Sequence, residues 1–332
     1  MVRMQDVAAE AGVSIKTVSR VYNNDPHVAP ETRERVEAAI GRLGYLPNSL
    51  ATTFRDGRSP VIGVAVPDVG DPFFAAIVRQ VDRTAAQHHM LTFVAGIGDD
   101  AAQERARVEA LLSRRLSGLI MAPASDDQSY LTPWAAQTPV VFVDRRPSGL
   151  AVDSFTTDDV EGAREGTAHL LAHGHRAVGF LGDTTALPTT ADRLVGYRRA
   201  LEDAGLPWRP ELVVMDATTT RAGTEAAMSA LTAVPDPPTA LLSSNARSTI
   251  ALAPLLRGLD LAVVSFGDFP MSDILDPPVT VLDQDPRRLA ELAVTRLLDR
   301  IAHPDRRFRR RQALPATLVE RESCRRHVPV PA

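Results

Sequence analysis

Residues 14–20, Ser-Ile-Lys-Thr-Val-Ser-Arg, gather side chains able to read a polyanion within about two helical turns. Ile15, Lys16 and Arg20 share one exposed stripe, because i, i+1 and i+5 lie close in angle around a helix, while Val18 and Val21 point back toward a small core. Gly12 supplies the left-handed residue that ends a preceding helix, and Ser14 caps the next one. A helix from about Gln5 to Ala11, a turn of three or four residues and a second helix from Ile15 to about Tyr22 make helix-turn-helix spacing. In that arrangement the second helix enters the DNA major groove with its first turn against base edges. Lys16 is the only lysine of the chain, every other basic side chain being arginine, a bias that carries no function by itself.

The other reactive side chains assemble no enzyme. GIGDDA (96–101) lacks the third glycine of a dinucleotide fingerprint and ends in acid, where pyrophosphate is repelled. His169, His173 and His175 fall close together in HLLAHGH, which spans a helix end and a turn and resembles a metal cluster. A single cysteine, Cys324, excludes a disulfide framework and points to a reducing compartment. RRFRRRQ (306–312) reads as a solvated loop before a terminal strand. The expectation is a chain without catalysis, cofactor or metal.

The elements that must position the reading helix come next along the chain. PETRERVEAAIGRL (30–43) gives a third helix with Val36, Ala39, Ile40 and Leu43 as its stripe, and Gly44 ends it. A headpiece over residues 1–46 follows. Its first 58 residues carry eight basic and seven acidic groups, so a DNA footprint rests on placement and not on bulk charge. In 47–59, Pro47 breaks the chain, Asn48 can cap, and Ser49 to Phe54 could form a helix too short to persist alone.

From Pro60 the pattern becomes apolar, β-branched strands alternating with amphipathic helices in two successive series. Strands are expected at 61–67, 91–97, 118–123 and 139–145, then at 176–182, 212–215, 240–244 and 262–268. Helices at 72–89, 101–115, 158–173, 191–204, 221–233 and 248–257 intervene. A closing helix over 286–302 and a strand over 312–320 return to tie the lobes. At 332 residues the chain can bury several cores, and a net charge of −4 excludes a generally basic coat. With no apolar signal segment and no run of membrane length, a cytoplasmic protein away from membranes is expected.

Taken together these segments resemble the lactose-repressor (LacI) family of bacterial transcription regulators. The sharpest likeness is DVAAEAGVSIKTVSRVYN with VAPETRERVEAAIGRLGYLPN, joined by DPFF (71–74), VVFVDR (140–145), GHRAVGFLG (174–182), DRLVGYRRAL (192–201), VSFGDFP (264–270) and LPATLVERESC (314–324). It accounts for the histidine run without a metal. The resemblance implies an all-α headpiece and an α/β core of two doubly wound parallel-sheet lobes, of the periplasmic-binding-protein-like type. The core spans 60–327, with one lobe at about 60–160 and 284–313 and the other at about 161–283 and 314–327.

It further implies a homodimeric repressor on pseudo-palindromic double-stranded operator DNA, controlled by a small-molecule effector, a sugar or sugar derivative, between the lobes. By this likeness Ile15 and Lys16 meet base edges and Arg20 a guanine, whose O6 and N7 its planar fork meets together. Ser14, Thr17, Ser19 and Asn23 hold phosphates or the turn. The hinge contributes Asn48, Ala51, Phe54 and Arg55, with Phe54 as the minor-groove wedge where the family carries leucine. Thr52 replaces the usual arginine.

Effector contacts implied are Asp68, Phe73, Phe74, Asp144, Arg193, Asn245, Asp268 and Gln284, with Asp144 and Arg193 facing each other across the crevice. Ala246 and Gly267 stand where the family usually has aspartates. Their loss points away from an ordinary monosaccharide toward a substituted, acidic or non-sugar ligand. Two alternatives stay open: a corepressor-dependent regulator of nucleoside or purine type, and a sugar-binding protein without a DNA role.

Overall fold

The computed structural model of the protein describes residues 2–22, 25–45, 60–98, 100–215, 220–256 and 260–325. The chain divides into two compact units at residue 59/60.

In the first unit three helices, α1 (Met4–Ala11), α2 (Ile15–Tyr22) and α3 (Pro30–Leu43), close over Val7, Ala8, Ala11, Val18, Val21, Val36, Ala39 and Tyr45. Gly12 takes φ +60°, a left-handed backbone that turns the chain between α1 and α2. The Ser14 Oγ accepts the Thr17 amide at 3.1 Å and caps α2. The arginines of α3 hold this turn in place. Arg35 donates to the Ala11 carbonyl at 2.5 Å, at the C-terminus of α1, and Arg33 to the Asp25 carbonyl just past α2 at 2.8 Å. Guanidinium groups at these helix ends satisfy orphan carbonyls and favour the local dipole.

The second unit carries two six-stranded sheets. Sheet one has the order β11-β5-β4-β3-β1-β2, all pairs parallel. Its strands are β1 (Val61–Val66), β2 (Leu91–Gly96), β3 (Gly118–Met121), β4 (Val140–Asp144), β5 (Asp153–Thr157) and β11 (Arg311–Leu314). Sheet two has the order β12-β10-β9-β8-β6-β7, parallel except for β12. It is built from β6 (Val178–Leu181), β7 (Val213–Val214), β8 (Ala240–Ser243), β9 (Ala262–Phe266), β10 (Thr280–Asp283) and β12 (Thr317–Val319). The central strands of both sheets are buried on each face, as helix-covered parallel sheets require. Sheet one is flanked by α4 (Pro72–Gln87), α5 (Ala101–Leu112) and α11 (Pro286–Ala302), with a short α6 (Thr132–Ala135). Sheet two is flanked by α7 (Asp159–Ala172), α8 (Pro188–Asp203), α9 (Arg221–Ala233) and α10 (Ala246–Leu256).

The chain crosses between lobes three times, after β5, after β10 and after β11. The last crossing corrects the expected single strand over 312–320. It is two strands, 311–314 parallel to β5 in sheet one and 317–319 antiparallel to β10 in sheet two. Pro315 between them has no N–H to continue a ladder. Two strands lay outside the expectation, β5 and β10. The sequence of β5, Asp-Ser-Phe-Thr-Thr, is polar yet buried throughout. Asp153 within it is held by Arg296 at 2.9 Å and Arg300 at 2.8 Å from α11. Two helices begin earlier than expected, α8 at Pro188 instead of 191 and α10 at Ala246 instead of 248, where Asn245 Oδ1 caps the Ser248 amide at 2.9 Å.

Helices α7 and α8 pack so closely that a Cβ on Gly196 would lie 2.1 Å from the Val160 carbonyl oxygen and 2.9 Å from Ala163 Cβ. Neither neighbour is the free end of a flexible side chain. Gly196→Ala is expected to lower stability by about 3 kcal/mol, the upper range for overpacking, read as a lower midpoint in thermal or urea unfolding of the intact chain.

Candidate functional site

On α2, Ile15 (51% exposed), Lys16 and Arg20 stand free of the core, and Thr17 and Ser19 are half-buried beside them. Ser14 and Thr17 share a hydroxyl contact at 2.9 Å, so both serve the helix start. The Arg20 Nε lies 3.4 Å from Asp25, an exposed pair that a better acceptor can displace. Tyr22, half exposed at the end of α2, joins this face and was not anticipated; its signal was an aromatic one position past the buried stripe. Asn23, Asn48, Ala51, Phe54 and Arg55, with Thr52, lie outside the described residues.

In the core, the residues after the C-terminal ends of β1, β4, β6, β8, β9 and β10 converge between the lobes, where open α/β sheets hold ligands. Lobe one contributes Asp71, Phe73, Phe74, Asp144 and Arg145; lobe two contributes Asp183, Thr189, Thr190, Arg193, Asn245, Ala246 and Arg247. Leu187, Gly267 and Gln284 complete the lining. The space between these side chains is about 50 Å³, room for a water or two.

Each polar group there has a local cause. Asp71 caps α4 by accepting the Phe73 amide at 2.8 Å, and burial pushes its carboxyl up. Phe73 and Phe74 meet edge to face with centroids 5.3 Å apart; Phe74 is buried in the lobe-one core and Phe73 is half exposed toward the cleft. Asp144 sits at φ +66°, in a tight turn closed by the Arg145 amide on the Val143 carbonyl at 2.7 Å. A left-handed aspartate closing so short a turn stores backbone strain. Burial raises its carboxyl against the pull of Arg145 and Arg193. The Arg145 guanidinium donates from Nη1 to Pro123 O at 2.7 Å, while its buried Nε makes no hydrogen bond among the described residues and lies 3.4 Å from the Asp144 carboxylate.

Arg193 is not a free cleft arginine. Its Nε and Nη2 each lie 2.7 Å from Asp159 Oδ1, its Nη1 donates to Ser244 O at 2.6 Å, and its plane lies 3.9 Å from the Phe266 ring centroid. Burial pushes the Asp159 carboxyl up to about 7 in spite of the guanidinium beside it. Asp268 does not line the cleft. Its carboxylate is taken by Arg321 Nη2 at 3.0 Å, Ser272 Oγ at 2.5 Å and the Phe269 amide at 2.8 Å, which anchor the loop after β9. Asp68 is exposed, accepts the Gly70 amide at 2.8 Å, and is also absent from the lining. Gln284, buried, donates to Thr157 Oγ1 at 3.3 Å where two crossovers meet.

Sequence reasoning missed Asp71, Arg145, Asp183, Thr189, Thr190 and Arg247 in the lining, and of these Arg247 bridges the lobes. From the first turn of α10 it reaches Asp71 of the opposite lobe at 3.4 Å and Asp183 at 3.7 Å. A cation at a helix N-terminus opposes the dipole, and that conflict was the available signal. Ala246 is buried, and Gly267 at φ +91° has no room for a side chain without strain. These two positions carry no charge, while three arginines face three aspartates in the rest of the lining. A wider depression of about 380 Å³ beside the crossovers shares Asp144, Arg145 and Thr189 with it.

A three-helix DNA-reading headpiece joined to a two-lobed ligand-binding core defines a bacterial transcription regulator of the helix-turn-helix class. Residues 59–306 match the model for periplasmic binding proteins and the sugar-binding domain of the LacI family, and residues 3–48 match the model for bacterial regulatory proteins of the lacI family. The chain belongs to the LacI family, and it is a DNA-binding regulator of transcription. It is 33% identical over 300 residues to the HTH-type transcriptional regulator GalS of Salmonella typhimurium, covering 88% of each chain. It is 30% identical to the HTH-type transcriptional repressor CytR of Escherichia coli strain K12, over 90% of this chain and 89% of that one. The lac repressor dimer bound to operator and the anti-inducer ONPF superposes with a TM-score of 0.81 at 29% identity, covering 98% of this chain and 99% of that one. No described helix is long and apolar enough to cross a membrane.

Because Arg193 is buried and paired, Arg193→Ala leaves the Asp159 carboxylate stranded. We expect a loss of about 3–5 kcal/mol of stability, seen in denaturant unfolding without any ligand, together with weaker effector binding.

Proposed function

We propose that the protein is a homodimeric repressor, built as a headpiece (1–46), a hinge (47–59) and a core (60–327). It binds a pseudo-palindromic operator and answers to a small polar molecule in the interlobe cleft. The observation that carries the reading is the pairing of an exposed, capped recognition helix with a charge-lined cleft at the strand ends. Ile15, Lys16 and Arg20 read base edges, while Ser14, Thr17 and Ser19 fix the helix on the backbone. Asn23 and the hinge residues Asn48, Ala51, Phe54 and Arg55 add phosphate contacts and a wedge. The dimer is supported by the edge strand β2, where Leu91 (64% exposed), Phe93 and Val94 stand in solvent on one chain. A twofold axis there presents two headpieces to two half-sites. A reader of chromosomal DNA of this kind works in the cytoplasm.

The effector is a sugar derivative carrying an acidic group. Arg247 and the Arg145 Nε, which is ion-paired with Asp144 at 3.4 Å but makes no hydrogen bond among the described residues, offer donors to an anion, whereas Ala246 and Gly267 remove the carboxylates that hold neutral sugars. A space of about 50 Å³ is far smaller than such a ligand needs. Entry therefore exchanges the Arg247–Asp71 bridge for ligand contacts and shifts the balance between open and closed forms, typically 1–3 kcal/mol of coupling to DNA affinity. A second reading, a nucleoside-type corepressor, draws on the half-exposed Phe73 ring, which can stack on a base.

Arg20→Ala is expected to weaken cognate operator binding by roughly ten- to a hundredfold, the loss of one bidentate base contact. The fold and the dimer should stay intact. Gel-shift titration at fixed salt measures this, and equal affinity of mutant and wild type overturns the assignment.

Arg247→Ala is expected to abolish the thermal shift produced by sugar acids in a screen of sugars, sugar acids and nucleosides. The mutant's own stability should fall by about 1–3 kcal/mol, since Asp71 is left buried without its ion pair. A response to neutral sugars alone, unchanged in the mutant, refutes the acidic effector.

A further inference from the structure

Far from the cleft lining, the end of α7 meets the segment after β12, and four metal-ligating side chains converge there. His169 and His173 lie one turn apart at the C-terminal end of α7, and Glu320 and Cys324 are likewise four residues apart in the C-terminal segment. One ligand atom from each falls within 4.8 Å of every other. The His173 Nε2 is 3.7 Å from Cys324 Sγ and 3.8 Å from Glu320 Oε1, and the two imidazoles meet edge to face at 4.6 Å. The histidine run of the sequence does not act as a unit: His175 is buried and bonded to Thr239 at 2.9 Å, outside the cluster. His169 Nε2, in contrast, is buried with no hydrogen-bond partner among the described residues.

We propose that His169, His173, Glu320 and Cys324 form a zinc site that staples the C-terminal segment to α7. Two imidazole nitrogens, a thiolate and a carboxylate make a tetrahedral donor set for a borderline-soft dication. On binding, Cys324 releases its thiol proton to solvent and both histidines bind neutral. The thiolate and carboxylate then cancel the two positive charges, which suits a half-buried place. Burial already holds the His169 imidazole toward its neutral form. The carbonyl end of α7 also favours a cation at this point. Zinc–ligand bonds of about 2.0–2.3 Å require the four groups to draw in slightly and Glu320 to loosen from Arg325, 3.1 Å away at the surface. A buried imidazole nitrogen beside a packed histidine, a thiol and a carboxylate makes no hydrogen bond among the described residues. As a metal ligand it has a partner.

The test uses the full chain without a histidine tag, stripped with a chelator, then titrated with Zn²⁺ and with Co²⁺. Expected are one metal per chain, a raised thermal midpoint with zinc, and with cobalt a thiolate-to-metal charge-transfer band plus intense tetrahedral d–d bands. Cys324→Ser should remove the charge-transfer band, and His173→Gln, on a half-buried ring, should weaken zinc binding about tenfold or more. Circular dichroism of both variants confirms that they fold. Absence of the band in wild type, its survival in Cys324→Ser, or zinc affinity unchanged in His173→Gln overturns the site.

Discussion

The core is organised around one buried guanidinium. Arg193, on α8, binds Asp159 at the first residue of α7, the Ser244 carbonyl just past β8 and the face of Phe266 at the end of β9. It thereby fixes three strand and helix ends of lobe two against one point. Burying such a pair is expensive, and the elevated Asp159 carboxyl records that cost. What it secures is position: Thr189 and Thr190 precede Arg193 on α8, and Asn245 and Arg247 follow Ser244, so the cleft wall inherits its geometry from this ion pair. The strained turn at Asp144 supplies the opposite wall.

Local chemistry made the headpiece readable from sequence, because Gly12, Ser14, Pro30 and Gly44 punctuate it and its stripes recur at helical spacing. The alternation of the core was equally plain where strands are continuous apolar runs. It failed at β5, whose buried Asp153 is satisfied by Arg296 and Arg300 from α11, more than a hundred residues away. No window of sequence carries that pairing. The closing segment was misread for a similar reason: it looks like one strand until the partners on either side of Pro315 are known.

The cleft was legible in part. Phe73, Phe74, Asp144, Arg193, Asn245 and Gln284 converge, all but Arg193 because they stand at or soon after a strand end, and Arg193 from within α8. Asp268 is drawn away by Arg321, which lies 53 residues later and carries no local mark of the pairing. Arg247 escaped notice because a helix start is a poor place for a cation; its partner Asp71 compensates from the other lobe. Ala246, Arg247 and Gly267 line the same corner of the cleft, so the departures in sequence and the arginine in space fall together.

The split closing segment also bears on how the chain is made. Lobe one is the first sheet synthesised, yet α11 supplies Leu289, Ala290, Ala293, Val294 and Leu297 to its core, and β11 is its outermost strand. Lobe two likewise waits for β12. While the ribosome is still translating the last elements, neither lobe has its full set of strands, and apolar faces of both remain uncovered. The headpiece, local in all its packing, is free to fold as it emerges, since domains fold as units from the N-terminus. A nascent chain can thus hold a folded three-helix headpiece ahead of an unfinished core, and both lobes are completed only when the last strands of the chain are made.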